Sequence, residues 1–188
     1  MDKSNGYDAI TGLYLQQRGG IGSAVISSWA ASFPPGAAVI DLGCGTGFPV
    51  TKILAAAGLQ VYAVDASASM VALVQQHIPG VIVACEAMEE SLFFNRTFDG
   101  IISIGVMFLL SAEQQRLCIQ KMAAALKPSG KLLFTAPLEE TTWKDVLTQR
   151  PSLSLGAATY RSLLAAAGLS IGEELEDEGG NHYYTANK

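Results

Sequence analysis

The chain has 188 residues, of which 49% are hydrophobic. This suits one α/β domain with a sizeable core and is too apolar for a disordered chain. A formal net charge of -5 with only 12 Lys and Arg residues argues against nucleic acid as a partner, because binding to phosphates needs clustered positive charge. The sequence has neither a signal-peptide core nor an apolar run of bilayer length, so we expect a cytoplasmic protein without membrane contact.

Residues 1–36 precede the regular part of the sequence and are expected to form an N-terminal helical arm. A helical pattern covers Ile21–Phe33 and is closed by Pro34-Pro35-Gly36. The three cysteines, Cys44, Cys85 and Cys118, are far apart and show neither metal-ligand spacing nor a disulfide framework. We therefore expect reduced thiols and no metal site.

From residue 37 onward, apolar runs of strand length alternate with helical patterns. The predicted strands are Ala37–Gly43, Gln60–Asp65, Val81–Glu86, Phe98–Gly105 and Lys131–Ala136. The helices between them are predicted at Phe48–Ala57, from the cap Ser67 to His77, and from the cap Ser111 to Leu126. Near-continuous apolar strands that alternate with helices indicate a parallel sheet covered on both faces.

The last part of the chain changes character. After a predicted helix at Thr159–Ala167, the segments Leu169–Glu178 and His182–Asn187 are joined only by Gly179-Gly180-Asn181, so they must pair antiparallel. Residues 138–155 form a longer, polar connection and are a candidate substrate loop. The prediction is a single domain over residues 1–188, with its α/β core at 37–188.

The sharpest motif is VIDLGCGTGFP, residues 39–49, in which Gly43, Gly45 and Gly47 follow a strand and open a helix. Glycine lets the main chain turn tightly and approach a ligand without interference from a Cβ atom. The spacing is G-x-G-x-G rather than the G-x-G-x-x-G of nicotinamide sites. A tight turn without a ligand is the alternative.

Carboxylates end the neighbouring strands. Asp65 ends the second strand, where it can accept hydrogen bonds from both ribose hydroxyls, although a dinucleotide enzyme would place an acid there too. Glu86 ends the third strand and is followed by Ala87-Met88, in a position to meet the edge of an adenine ring. Asp41 lies inside the first strand, just before the glycines.

Six segments together resemble the class I S-adenosylmethionine-dependent methyltransferase family, from about residue 37 to the C-terminus: VIDLGCGTGFP, VYAVDAS, ACEAMEE, FDGIISIG, LKPSGKLLFTAP and the last hairpin. The resemblance implies a Rossmann-like, doubly wound, mostly parallel seven-stranded sheet with a C-terminal antiparallel hairpin. It also implies S-adenosyl-L-methionine as the cofactor.

The same resemblance implies a role for each matching position. Asp41 and the Gly43–Gly47 loop would border the methionine portion and the sugar, and Asp65 would hold the ribose. The implied cofactor-binding residues are Asp41, Gly43, Cys44, Gly45, Gly47, Asp65, Ala66, Glu86, Ala87, Met88, Ser103 and Ile104. Several have a structural alternative: Met88 and Ile104 as core residues, Glu86 as a solvated strand end, and Asp41 as a partner of loop amides.

No catalytic residue can be identified from the sequence. Methyl transfer to an acidic acceptor needs little or no base, because alignment and exclusion of water supply much of the rate. His182 is a candidate base, although a histidine at the start of a hairpin is the more common case; His77 ends a helix and is expected to be structural. Tyr7, Tyr14 and Arg18 either cover the cofactor or pack as an arm, and Trp143 either covers the acceptor or anchors its loop.

Only residues 1–36 and 138–155 are free to build an acceptor site, which favours a small-molecule methyl acceptor over a macromolecule. Three alternatives stay open: a cofactor-binding regulatory module without catalysis, a nucleotide-dependent oxidoreductase, and a methyltransferase that acts on protein. The sequence does not indicate an oligomeric state.

Overall fold

Five parallel strands form the centre of the computed structural model, which describes residues 2–17 and 19–188. They are β1 (Ala38–Leu42), β2 (Gln60–Asp65), β3 (Ile82–Cys85), β4 (Phe98–Ser103) and β5 (Leu126–Thr135). All of β1 is buried, as expected for a strand covered on both faces. The spatial order is β3-β2-β1-β4-β5, so the connections change direction between β1 and β4.

The sheet is completed by short antiparallel strands, β8 (Ser170–Ile171), β9 (Leu175–Glu176) and β10 (His182–Asn187). β10 lies antiparallel to β5, and both β8 and β9 pair with its other edge. This confirms the antiparallel C-terminal hairpin. The predicted number of seven strands is wrong, since the main sheet has eight. The segment predicted as one strand is split because Glu174 leaves the ladder and bonds to Arg161 and His182.

The described residues form six α-helices: α1 (Thr11–Gln17), α2 (Ser23–Ala31), α3 (Val50–Ala56), α4 (Ala68–His77), α5 (Ala112–Ala125) and α6 (Ala157–Ala166). α5 and α6 pack on one face through Ile119 and Leu164, whereas α2 and α3 pack on the other through Ile26 and Leu54. Alternate residues of β1 join the two cores, so the doubly wound prediction is confirmed.

The helix starts follow the capping residues in the sequence. Ser67 Oγ accepts the Met70 amide at 3.2 Å, and Ser111 forms a capping box with Gln114. The longest of these helices has 14 residues. Within the described ranges, no helix combines the length and the apolar character needed to cross a membrane.

The substrate-loop segment, residues 138–155, contains structure that was not predicted. It folds into the antiparallel strands β6 (Glu140–Lys144) and β7 (Pro151–Leu155), which form a separate two-stranded sheet. Asp145 organises the turn between them, since its Oδ1 accepts the amides of Leu147 and Thr148 at 3.0 and 2.7 Å. The polar side chains of this segment hid its strand pattern because the hairpin packs only partly against the core.

The arm and the fifth strand also differ from their predictions. A short 3₁₀ turn at Tyr7–Ile10 and α1 precede α2, so more of the arm is helical than predicted. Strand β5 begins at Leu126 and contains residues 127–130 as a bulge, whereas the predicted strand began only at Lys131.

Candidate functional site

A cavity of about 920 Å³ lies at the carboxyl ends of the parallel strands, where open α/β sheets bind their ligands. Its walls come from the loops after the strands, from the N-terminal arm and from the β6–β7 hairpin. Eight of the twelve implied cofactor residues line it: Gly43, Gly45, Asp65, Ala66, Glu86, Ala87, Met88 and Ile104. We call the side bounded by the ends of β1, β2 and β3 the cofactor half.

The glycine loop is shaped by close approach. Gly43 has φ +74°, and a Cβ atom on it would lie 2.3 Å from Val106 Cγ2. Gly45 has φ +54°, and its Cβ would lie 3.2 Å from the Tyr14 hydroxyl. Both conformations are left-handed and favour glycine. The amides of Gly43 and Cys44 bond to Val64 O at 2.8 and 3.0 Å, which fixes the loop against β2.

Asp65 joins the glycine loop to the end of β2. Its Oδ2 accepts the Gly45 amide at 2.8 Å, and its Oδ1 accepts the Ser67 amide at 2.8 Å. Burial raises the pKa of the Asp65 carboxyl above its ordinary value, and the two amide hydrogen bonds partly offset that rise. The carboxylate is therefore held in one orientation on the cavity wall before any ligand arrives.

The other four implied residues, Asp41, Cys44, Gly47 and Ser103, are absent from the cavity lining. Asp41 is 1% exposed and accepts a hydrogen bond from Thr51 Oγ1 at 2.6 Å. Ser103 Oγ donates to Leu42 O at 3.0 Å, and burial raises the pKa of the Cys44 thiol. A Cβ atom on Gly47 would lie 2.5 Å from Ile78 Cδ1. In this structure these residues support the glycine loop and the strand ends.

The opposite side of the cavity, which we call the acceptor half, is bounded by the ends of β4 and β5, the β6–β7 hairpin and β10. The Phe108 and Trp143 rings line it with their centroids 5.3 Å apart. The Tyr7 hydroxyl donates to Asp145 Oδ2 at 3.0 Å, and Arg150 Nη2 bonds to Asp2 Oδ2 at 2.7 Å. These bonds hold the arm against the hairpin.

The arm is also bonded to the cofactor half. Lys3 Nζ lies 2.5 Å from Glu90 Oε1, and Asp8 Oδ1 accepts hydrogen bonds from Ser67 Oγ at 2.6 Å and the Ser69 amide at 3.0 Å. Tyr14 lines the cavity beside Gly45, whereas the predicted arm residue Arg18 lies outside the described residues. The arm thus covers both halves of the cavity.

His182 lies in the acceptor half with its side chain 12% exposed. Its Nε2 lies 2.8 Å from Glu174 Oε2, and Glu174 in turn accepts from Arg161 Nε at 2.6 Å and Arg161 Nη2 at 2.8 Å. The Arg161 hydrogen bond, followed by that of His182, lowers the pKa of the Glu174 carboxyl despite its burial. His77 is exposed at the end of α4.

A family model described as a methyltransferase domain matches residues 39–130. Over this segment, which is slightly less than half of the chain, the sequence is similar to the methyltransferase-domain family. We call residues 39–130 the methyltransferase segment. It includes β1 from Val39 onward, all of β2, β3 and β4, and every implied cofactor residue. The acceptor half extends beyond it, since Trp143 and His182, which line the cavity, follow Gly130.

Named relatives show the same similarity over part of their length. The cypemycin N-terminal methyltransferase of a Streptomyces species is 36% identical over 112 residues, which is 57% of this chain and 45% of that protein. Other relatives are named as ribosomal RNA and probable transfer RNA methyltransferases. This chain spans less than half of each of these relatives.

Solved structures share the fold over nearly the whole chain. The amino pentose methyltransferase CalS10 from Micromonospora echinaspora, solved with S-adenosylmethionine bound, has a TM-score of 0.72 at 18% identity and covers 96% of this chain and 95% of its own. The [4+2]-cyclase SpnF has a TM-score of 0.76 at 16% identity, covering 100% and 96%. At such identities the likeness shows the methyltransferase fold and not the reaction.

Several residues that line the acceptor half were not predicted from the sequence. Thr135 and Ala136 could have been found, because they follow β5 at the edge where the other strand ends meet. Phe108, Asp145 and Asp177 carried no such signal, since each depends on how a loop folds. Within residues 2–17 and 19–188, no group of three His, Cys, Asp or Glu side chains is placed to hold a metal ion.

Proposed function

We propose that this chain is an S-adenosylmethionine-dependent methyltransferase that acts on a small molecule. The observation that carries the proposal is one continuous cavity with two different halves. One half presents the Gly45 loop, Asp65 and Glu86, and the other presents Phe108 and Trp143. A transfer between two bound molecules requires such adjoining sites.

The cofactor half fits a nucleoside that carries an amino acid tail. Gly45 exposes main chain where a side chain would crowd Tyr14, and the Asp65 carboxylate lies beside it to accept the ribose hydroxyls. Ala66, Ala87 and Met88 give an apolar setting for a purine, with Glu86 at its edge. These roles, which follow from the family resemblance, agree with the position of each residue on the wall.

The bound cofactor would supply an activated methyl group on a sulfonium. The protein's own part is to bind, align and exclude water. Asp65 and the glycine loop would orient the nucleoside, while Phe108 and Trp143 would hold the organic body of the acceptor. The arm, bonded to both halves through Lys3 and Tyr7, would shield the reacting atoms from solvent.

The charge around the cavity favours a small acceptor over RNA, although some relatives are named for RNA. Among the described lining residues, Lys3 and His182 are the basic ones. The acidic ones are Asp2, Asp65, Glu86, Glu89, Glu139, Asp145, Glu176 and Asp177. A phosphate backbone would be repelled from such an entrance.

The cofactor assignment is tested by calorimetric titration of S-adenosylhomocysteine into the wild type and Asp65→Asn. We expect the wild type to bind and the variant to bind about 5- to 150-fold more weakly, through loss of charge-assisted hydrogen bonds worth about 1–3 kcal/mol.

Asp99→Asn is the matched control, because Asp99 also accepts a backbone amide, that of Ala38 at 2.8 Å, but lies outside the cavity lining. Its affinity for S-adenosylhomocysteine should equal that of the wild type. Binding of NAD in place of S-adenosylhomocysteine, or equal losses in the two variants, would contradict the proposal.

A further inference from the structure

The acceptor half contains carboxylates that lack a cationic partner among the described residues. Asp145 and Asp177 are 7% and 8% exposed, and both line the cavity with Glu139 and Glu176. Asp145 and Asp177 accept hydrogen bonds from neutral donors, including the hydroxyls of Tyr7 and Tyr183. Buried carboxylates are usually paired with a positive charge. A cationic acceptor would supply the missing charge.

A protonated amine cannot attack a methyl group until it has lost a proton, so a cationic acceptor also needs a base. His182 meets the geometric requirement, because it lines the same half of the cavity and starts β10, beside the end of β5. Imidazole takes up and releases protons near neutral pH. The cavity therefore contains both an attraction for an ammonium group and a group able to deprotonate it.

Glu174 determines which ring nitrogen of His182 is able to accept a proton from the acceptor. A carboxylate only accepts hydrogen bonds, so its contact with His182 Nε2 places the proton of the neutral ring on Nε2. Nδ1 then carries the lone pair. Arg161 holds Glu174 through two hydrogen bonds, so the orienting carboxylate is itself fixed. A base oriented by a carboxylate is a recurrent catalytic arrangement.

We propose that the methyl acceptor is an amine and that His182 is the base that deprotonates it, with Glu174 as a positioning residue. This rests on the methyltransferase function proposed above. The acceptor nitrogen gives a proton to His182 Nδ1, and its freed lone pair forms the N–C bond as the C–S bond breaks. The bonding electron pair leaves with sulfur, and the proton passes from His182 to solvent.

Other charged and titratable groups adjoin His182. Glu176 faces it from β9, Glu174 from the segment before β9, and the Tyr184 ring packs edge-on at 4.7 Å. Burial, and then the Glu174 charge, raise the pKa of Tyr184, so this phenol stays protonated at neutral pH. Arg161 bonds to the same carboxylate, Glu174, that contacts His182.

The acceptor class is tested with probes that share a body and differ in the charge of the head group. We choose phenethylamine, 2-phenylethanol and phenylacetate, together with the benzyl and indolylethyl members of each set, which suit the Phe108 and Trp143 walls. Methylation of at least one amine, with none of its alcohol or carboxylate counterparts, is expected. Methylation of a carboxylate or an alcohol, or of no amine, overturns the assignment.

The base is tested with His182→Gln on the best amine probe. General base catalysis predicts a kcat lower by roughly 100-fold at pH 7, with KM within about threefold of the wild type. The loss should shrink as the pH rises to 9.5, because solvent then deprotonates the amine. A merely structural role would leave the loss unchanged with pH. An unchanged loss, or no loss at pH 7, overturns the proposal. His77→Gln, at the chain's other histidine, is the matched control and should retain full activity.

Glu174 is tested without any ligand. In ¹⁵N spectra of the free wild-type protein, the ring-nitrogen shifts should show His182 with its proton on Nε2, and Glu174→Gln should give a mixture of tautomers. The same ring state in both proteins contradicts the positioning role. Calorimetry with S-adenosylhomocysteine separates the two proposals: if it fails to bind the wild type, the methyltransferase function fails; if it binds and no amine is methylated, only the amine assignment fails.

Discussion

The two halves of the cavity are built in different ways. The cofactor half consists largely of main chain and strand ends from one continuous segment, residues 39–130, and its key side chain, Asp65, is held by two backbone amides. The acceptor half brings together the arm, the β6–β7 hairpin and β10, and its shape depends on side chains such as Trp143 and His182.

The main-chain site at the strand ends can be shared by many proteins of one fold, whereas the side chains of the arm and the hairpin can differ between them. Main-chain geometry at strand ends follows from the sheet itself, so many sequences can reproduce it. Side chains on an arm and a hairpin can change without disturbing the sheet, and they set which acceptor is held. Backbone substitutions should therefore damage the cofactor half, and side-chain truncations the acceptor half.

The largest effect is expected for Gly43→Ala. Alanine at φ +74° costs about 1–2 kcal/mol in backbone strain, and its Cβ would collide with Val106, so the loop must move. We expect affinity for S-adenosylhomocysteine to fall roughly 100-fold or more by calorimetry.

Gly58→Ala is the control for strain alone. Gly58 has φ +75°, but no atom lies within 4 Å of the added Cβ. Stability should fall by about 1–2 kcal/mol while affinity stays unchanged. If Gly58→Ala weakens binding as much as Gly43→Ala, local shape at the glycine loop is not what the cofactor half depends on.

A smaller effect, on the acceptor half instead of the cofactor half, is expected for Trp143→Ala. Loss of the contact with Phe108 and of apolar cover should raise the KM of an amine probe roughly five- to tenfold, while S-adenosylhomocysteine binds as before. Phe33→Ala removes a comparable aromatic contact, with Trp29 at 4.7 Å, outside the cavity lining. Phe33→Ala should lower the free energy of unfolding and leave the binding of both ligands unchanged. If Trp143→Ala changes the affinity for S-adenosylhomocysteine, the two halves are not independent.

The smallest expected effect is a loss of folding stability at low pH through Asp177. Burial alone would raise the pKa of Asp177, but hydrogen bonds from Asn181, Tyr183 and the Gly179 amide outweigh it and lower the pKa. A carboxyl with a lowered folded-state pKa stabilises the fold above about pH 4, and this stability is lost as the pH falls through the folded value.

Asp177→Asn should therefore cost about 1–2 kcal/mol in the free energy of unfolding at pH 7, and much less near pH 2.5. Urea unfolding at both values measures this; an equal cost at the two values would refute it. The pKa of Asp65 is raised instead, so acid does not remove stability through that residue. Acid should loosen the acceptor half first.

The parallel strands and the position of Asp65 at the end of β2 could be predicted, because hydrophobic periodicity and glycine spacing are local features of the sequence. The split between β8 and β9 could not, since it depends on Glu174 meeting Arg161, 13 positions earlier in the chain. The β6–β7 hairpin was missed because its exposed strand shows little apolar alternation. The hydrogen bonds of Asp41 with Thr51 and of Ser103 with Leu42 O could not be predicted, because the sequence gives a strand's place and not the direction of each side chain.

The final strand lies inside the sheet. β10 is made after β8 and β9, yet it separates them from β5, and it carries His182 and Tyr183. A nascent chain could assemble β1 to β5, with the nucleoside site, while β10 is still in the ribosome. The other site can exist only after that insertion, so the capacity to hold S-adenosylhomocysteine should precede the capacity to hold an acceptor during synthesis.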